Sequence, residues 1–184
     1  MTTTHTLVML MQDRPGVLNR VVSLLRRRGF ALESLAVGRS EQPGLLRMTA
    51  VVEADDIDQV ANQLSRLIEV VTVSNVTNAP AVERELALAQ VYVSPTGRAE
   101  VIMLSNAAGA RIVDVGASTI VLEMIGMPAQ IEHFLDVIRP FGIKDLARTG
   151  RVVIPRGAHL QPPATIDETR EHMPEAAHAV GADR

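Results

Sequence analysis

A chain of 184 residues can form one large domain or two small ones, and 47% apolar residues suffice for a packed core. The net charge of −3 gives no general attraction to nucleic acid or an anionic membrane, and three Phe, one Tyr and no Trp disfavour base stacking. The absence of cysteine excludes disulfides, thiolate metal sites and cysteine nucleophiles.

The opening MTTTHT shows no basic segment followed by an apolar one, as a secretory leader has. No apolar run reaches the roughly 20 residues that span a bilayer. We therefore expect a cytoplasmic protein with neither a nucleic acid nor a membrane as partner.

The first part of the chain alternates between strand and helix periods in the order β-α-β-β-α-β, which is typical of a ferredoxin-like unit. Gly29 is placed to end the first helix, and Asp55 and Asp56 to cap the second, whose apolar face extends to Ile68. The predicted elements are strands at 5–11, 33–38, 46–52 and 70–77, and helices that begin near Pro15 and at Ile57.

After a polar break at 78–85 (NAPAVERE), the same order recurs at an offset of roughly 80 residues. The predicted elements there are strands at 86–93, 111–115, 119–125 and 143–154, and helices at 98–108 and 131–138. We therefore predict an α+β chain of two ferredoxin-like βαββαβ units. The expected domains are residues 1–79 and 80–157, and a proline-rich, charged segment at 158–184 is interpreted as a mobile tail.

The turn DRPGVL at 13–18 joins the first predicted strand to the first predicted helix. A helix that begins near Pro15 exposes amides with no partner inside the helix, and proline suits the first helical position. Gly16 leaves room for a ligand atom against the main chain, and the helix dipole favours an anion there. A small carboxylate fits such a site. The alternative is an ordinary tight connection between strand and helix.

The segment HTLVMLMQDRPGVLNRVVSLLRRRGFALESLAVG, followed by RMTAVV, resembles the ACT domain of the small, regulatory subunit of acetohydroxyacid synthase (acetolactate synthase). The segments VERELALAQV, ARIVDV and PFGIKDLARTGRVVIPRG resemble the second domain of that subunit, so the resemblance covers about 5–157. It implies a non-catalytic subunit that activates a catalytic large subunit and confers feedback inhibition by branched-chain amino acids, usually valine. It also implies that thiamine diphosphate, magnesium and FAD belong to the large subunit, with no cofactor in this chain.

The resemblance further implies a homodimer through the ACT domains, with the effector between two copies. Gly16 and the amides of Val17 and Leu18 would hold the effector carboxylate. Asp13 and Ala31 stand where the family commonly has asparagine, and a lost charged hydrogen bond costs about 1.5–3 kcal/mol, so we expect a weakened or altered valine response with assembly and activation kept. The candidate effector-binding residues are Asp13, Pro15, Gly16, Val17, Leu18, Ala31 and Leu32.

No pattern in the sequence predicts catalysis by this chain or a metal site. The five histidines lack convergent spacing with carboxylates, the serines lack a partner motif, and no GxGxxG or P-loop occurs. An alternative to the synthase subunit is a free-standing tandem ACT-like sensor that acts on another enzyme or on transcription. The changes at Asp13 and Ala31 favour this alternative, whereas the absence of a DxPG turn around Gly97 and Gly109 argues against it.

Overall fold

The computed structural model describes residues 3–157, and the predicted tail at 158–184 lies outside this range. Within residues 3–157, none of the helices has the length and the apolar composition that a membrane span requires. The strands are β1 Thr3–Gln12, β2 Ala31–Arg39, β3 Leu45–Ala54, β4 Val70–Asn75, β5 Ala81–Tyr92, β6 Arg111–Val115, β7 Thr119–Gly126, β8 Ile143–Arg148 and β9 Val152–Pro155. The helices are α1 Val17–Arg27, α2 Ile57–Leu64, α3 Arg98–Ala107 and α4 Pro128–Ile138.

The first four strands form an antiparallel sheet in the order β2-β3-β1-β4. Alternate residues of β1 and β3 point towards α1 and α2, and the apolar faces of both helices pack there. Met9, Met11 and Met48 are fully buried in this core, as fillers of irregular space. We call β1–β4 with α1 and α2 the first unit.

The later strands form a second sheet in the order β6-β7-β5-β8. Helices α3 and α4 cover one face, where Ile131, Phe134 and Ile138 pack on alternate residues of β5 and β7. We call these elements, with β9, the second unit. The predicted α+β fold of two ferredoxin-like units is confirmed, whereas the domain limits at 79 and 157 stay a prediction.

The predicted last strand at 143–154 is wrong, because the chain turns at 149–151 and separates β8 from β9. Gly150 has a φ of +74°, which a continuous strand does not allow. Strand β9 leaves the second sheet and pairs with residues 81–84, the first third of β5. Much of the predicted break at 78–85 is therefore strand, and β5 and β9 form a two-stranded ribbon between the units.

The second helix is shorter than its apolar pattern predicts. Asp56 caps α2 through a bond of 3.1 Å from the Gln59 amide to its carboxylate, which confirms the predicted cap. The helix ends at Leu64, however, and Ile68 is 78% exposed, so Ile68 is not part of the apolar face. Hydrogen bonds from Leu67 to the Leu64 carbonyl and from Val70 to the Leu67 carbonyl continue the chain as tight turns instead.

Candidate functional site

The turn between β1 and α1 is built around Gly16, the residue that caps the helix. Its φ of 86° and ψ of −9° place it in the left-handed region, so α1 begins at Val17. The expectation that Pro15 takes the first helical position is therefore wrong, because the left-handed Gly16 separates it from the helix. A Cβ on Gly16 would meet nothing within 4 Å, so the space beside this backbone is open in the single chain.

The first turn of α1 presents backbone donors without a neutralising group. It contains no acidic residue and no side-chain cap. The Val17 amide donates to the Arg14 carbonyl at 3.3 Å, whereas within 3–157 the amides of Leu18 and Asn19 reach no backbone acceptor. An anion here would therefore meet the amides of Leu18 and Asn19, which have no backbone acceptor among the described residues, and the positive end of the helix dipole. Sequence reasoning named Val17 and Leu18 but missed Asn19.

Two neighbouring loops fix the position of this turn. The Asp13 amide donates to the Gly44 carbonyl at 2.8 Å, and the Gln12 amide donates to the Glu69 carbonyl at 2.8 Å. The Glu69 side chain also forms an ion pair with Arg20 of α1. Sequence analysis missed these supports, although the QPG turn at 42–44, where Gly44 has a φ of +76°, is a signal that could have indicated one of them.

The predicted side chains beside the turn are accessible to a ligand. Asp13 and Pro15 are exposed, and Leu18 is 39% exposed even though Val17 beside it is buried in the core. The site therefore combines main-chain donors, one carboxylate and an apolar surface. These are the groups that complement the carboxylate, the ammonium and the side chain of an apolar amino acid.

Ala31 and Leu32 lie at the opposite end of the first sheet. Ala31 pairs with Glu53 on β3, and Glu53 pairs with Thr4 near the start of β1, whereas Asp13 follows the end of β1. The rise of the strand puts about 30 Å between these two ends. One chain thus brings Asp13, Pro15, Gly16, Val17 and Leu18 together but keeps Ala31 and Leu32 away from them.

The corresponding turn of the second unit is closed. Gly97 before α3 has a φ of −82°, and its amide donates to the Ser94 hydroxyl at 3.0 Å. A Cβ on Gly97 would lie 3.1 Å from that hydroxyl oxygen. The Ser94 side chain therefore occupies the position that corresponds to the open space beside Gly16, and the turn before α3 offers no equivalent anion site.

The described residues also show how the other polar groups are used. The buried Ser105 hydroxyl donates to the Val101 carbonyl at 2.7 Å, which is a local helix contact. Residues 3–157 bring no three His, Asp or Glu side chains together as a metal site would need. Neither observation assigns a reaction to this chain.

Two family models match the chain in succession. Residues 7–72 match the AHAS small subunit-like ACT domain, and residues 84–157 match the small subunit of acetolactate synthase. The first match contains the Gly16 turn and both ends of the first sheet. The second contains the second sheet and the β9 strand of the ribbon.

Similar proteins agree with these models over most of their length. A probable acetolactate synthase small subunit of Archaeoglobus fulgidus is 48% identical over 83% of this chain and 97% of its own. An acetolactate synthase small subunit of Mycolicibacterium smegmatis is 42% identical over 85% and 93%. The crystal structure of the acetolactate synthase small subunit from Thermotoga maritima superposes with a TM-score of 0.78 at 34% identity, over 84% of this chain and 98% of that one. The chain therefore belongs to the family of acetolactate synthase small subunits and carries its ACT domain.

Proposed function

We propose that the chain is the cytoplasmic, non-catalytic regulatory subunit of an acetolactate synthase. It activates a catalytic large subunit and lets valine or a related branched-chain amino acid restrain that subunit. Thiamine diphosphate, magnesium and FAD belong to the large subunit in this proposal. The family membership supports the proposal, since the relatives that match nearly their whole length are named small subunits of this enzyme.

The proposal that the chain senses an amino acid rests on the distance between the Gly16 turn and the other predicted site residues, Ala31 and Leu32. Gly38 pairs with Arg47 on β3, and Arg47 pairs with Leu10 near the end of β1, so β2 ends level with the Gly16 turn. Strand β2 is an edge of the sheet, and antiparallel pairing of two such edges places the start of one β2 beside the end of the other. Ala31 of a second copy then lies at the end of the sheet that carries Gly16.

A homodimer through this edge completes two equivalent sites, each made from both copies. The carboxylate of the amino acid accepts hydrogen bonds from the amides of Leu18 and Asn19 beside Gly16. Its ammonium faces Asp13. Its side chain lies against Leu18 of one copy and Leu32 of the other, which are 39% and 38% exposed in the single chain. Because each site needs both copies, its occupancy is coupled to the geometry of the dimer.

Asp13 and Ala31 weaken the response in this proposal. The Asp13 carboxylate attracts the ammonium but repels the effector carboxylate, and Ala31 offers neither a donor nor an acceptor. The loss of one charged hydrogen bond lowers the affinity by about tenfold to a hundredfold. We therefore propose an effector response weaker than that of relatives with asparagine at both positions, with assembly and activation retained.

The free-standing sensor remains the second candidate, because Asp13 and Ala31 alter the effector site itself. It fits less well, since the closed turn at Gly97 leaves the second unit without an effector site of its own. A tandem sensor would use two such sites, whereas the proposed synthase subunit requires only the one in its ACT domain.

Reconstitution tests the proposal. The full chain is mixed with a purified catalytic subunit, and acetolactate formation is measured with and without valine, leucine and isoleucine. We expect co-elution, a faster reaction in the presence of the chain, and inhibition by at least one of the three amino acids at millimolar concentration. No rise in rate together with separate elution would overturn the proposal and favour the free-standing sensor.

A further inference from the structure

The ribbon of β5 and β9 packs on the face of the first sheet that the helices leave uncovered. Val153 of β9 is buried against Val8 and Val76. The Arg47 guanidinium of β3 donates to the Val153 carbonyl at 2.9 Å. The second unit therefore reaches the first sheet through defined apolar and polar contacts.

The turn at 149–151, which leads into β9, contacts β2 where that strand is irregular. The β2–β3 register shifts between Leu32 and Ser34, so Glu33 is an extra residue of a bulge. A Cβ on Gly150 would lie 3.2 Å from the Ser34 Cβ and 3.6 Å from the Leu35 amide nitrogen. The turn thus touches the strand closely enough that only glycine fits without displacement.

Arg151 of the same turn forms ion pairs with one residue of each unit. One of its guanidinium nitrogens lies 3.2 Å from a carboxylate oxygen of Glu33 on β2, and the other lies 3.4 Å from a carboxylate oxygen of Glu83 on β5. The Arg151 side chain is 25% exposed, so this double contact is partly shielded from solvent. A single side chain therefore ties the β2 bulge to the ribbon.

A cleft beside the turn leaves it room to move. The cleft has a volume of about 700 Å³ and runs from Ser34 on β2 to Glu85 and Glu132 of the second unit. Ser34 borders the cleft, and its hydroxyl is buried and finds no hydrogen-bond partner within the described residues. The turn therefore packs closely against the bulge on one side and borders open space on another, and no hydrogen bond from the described part of the chain holds the Ser34 hydroxyl in place.

We infer that the turn at 149–151 is a positioning element for the β2 half of the effector site, acting through Gly150 and Arg151. Ala31 and Leu32 immediately precede the bulge residue Glu33, so a shift of the bulge moves both of them. This inference rests on the proposed function, which assigns Ala31 and Leu32 to the effector site. The contact between the turn and β2 does not depend on that function. By linkage, an effector that binds more tightly to one position of β2 favours the matching position of the turn.

The test compares two pairs of variants of the full chain. Arg151→Met removes the charge at the bulge, and Arg111→Met makes the same change in an ion pair within the second sheet, where Arg111 lies 3.4 Å from Glu123. Gly150→Ala adds a methyl against Ser34, and Gly109→Ala adds one at a φ of +79° where nothing lies within 4 Å. The two variants of each pair thus carry the same chemical change, but only one of them alters a contact with β2.

Hydrogen exchange of the effector-free chain gives the first readout. We expect the amides of residues 31–35 to exchange about two- to fivefold faster in Arg151→Met than in Arg111→Met, because the ion pair opposes local opening of β2. At the same amides, hydrogen exchange should be roughly fivefold or more faster in Gly150→Ala than in Gly109→Ala, because the methyl group at position 150 displaces Ser34. Equal exchange at 31–35 within each pair would overturn the inference.

Effector affinity gives the second readout. We expect calorimetry to show about two- to fivefold weaker binding of valine to Arg151→Met than to Arg111→Met, with Arg151→Lys restoring most of the loss. Equal affinity of Arg151→Met and Arg111→Met would overturn the inference. A wild-type chain that binds no branched-chain amino acid would overturn the proposed function instead, and exchange at 31–35 would still decide whether the turn positions β2.

Discussion

Gly16 and Gly29 flank helix α1, and each has a positive φ with open space where a Cβ would stand. An alanine at either position pays the same kind of backbone strain, about 1–2 kcal/mol. Only Gly16→Ala adds a methyl beside the first-turn amides. A comparison of alanine substitutions at the two glycines therefore distinguishes an effect on effector binding from an effect on stability.

We predict that Gly16→Ala weakens valine binding by about tenfold or more, because its methyl excludes a carboxylate from charged hydrogen bonds with the amides. Gly29→Ala should bind valine as the wild type does while it loses a similar free energy of unfolding. Calorimetry and urea unfolding measure the two effects. Equal affinities of the two variants for valine would contradict an effector site at the Gly16 turn.

The sequence predicted which residues form this turn but not their backbone conformation. The Pro-Gly pair marks a helix start, yet it does not reveal that Gly16 adopts a left-handed conformation and moves the start to Val17. The separation of Ala31 from Gly16 depends on strand register across β1, β2 and β3. Register is a property of pairing between distant segments, which local patterns do not specify.

Among the strands, β8 carries the main charged cluster of the second unit. The Arg148 guanidinium donates to both carboxylate oxygens of Glu85, at 2.7 and 2.9 Å, and also pairs with Glu132 on α4. These bonds, chiefly those with Glu85, raise the pKa of Arg148 above its ordinary value. A raised pKa of the guanidinium stabilises the fold while the guanidinium and its carboxylate partners are charged, so the contribution is constant near neutral pH and is lost as the pH rises into strong alkali.

We predict that Arg148→Met lowers the free energy of unfolding by about 2 kcal/mol, since it leaves the Glu85 carboxylate buried without its partner. Arg139→Met, which breaks an exposed pair with Asp136, should change it by less than about 0.5 kcal/mol. Urea unfolding at neutral pH measures both. A loss for Arg148→Met no larger than that for Arg139→Met would contradict this account of the cluster.

At the scale of elements, local sequence patterns predicted most of the features that depend on a single segment. The amphipathic helices and the alternating strand β3 were found because their apolar faces repeat with the period of the element. The β5–β9 ribbon was missed, because Ala81 pairs with Pro155 far along the chain and the polar NAPAVERE segment resembles a loop. Ile68 was misplaced because it continues the helical spacing beyond Leu64, the last residue of α2.

At the scale of the whole molecule, the ribbon and the β2 edge give the two units different tasks. In the proposed homodimer the β2 edge pairs with a second copy, whereas the ribbon packs the second unit against the face of the same sheet that lies opposite the helices. An amino acid bound between two copies of that dimer would therefore act on a strand that the second unit also contacts. The proposed regulator would in this way pass effector occupancy from the ACT domain to the rest of the chain.

Complementation between two variants tests most directly whether two copies share the site. Gly16→Ala impairs the half at the helix, and Ala31→Phe impairs the half at β2, so each variant alone should bind valine about tenfold or more weakly than the wild type and offer no site of wild-type affinity. Random pairing of equal amounts leaves one intact site in each mixed dimer, and calorimetry should recover roughly a quarter of the wild-type sites. If the mixture binds no more valine than the separate variants do, the site does not span two copies and the account is wrong.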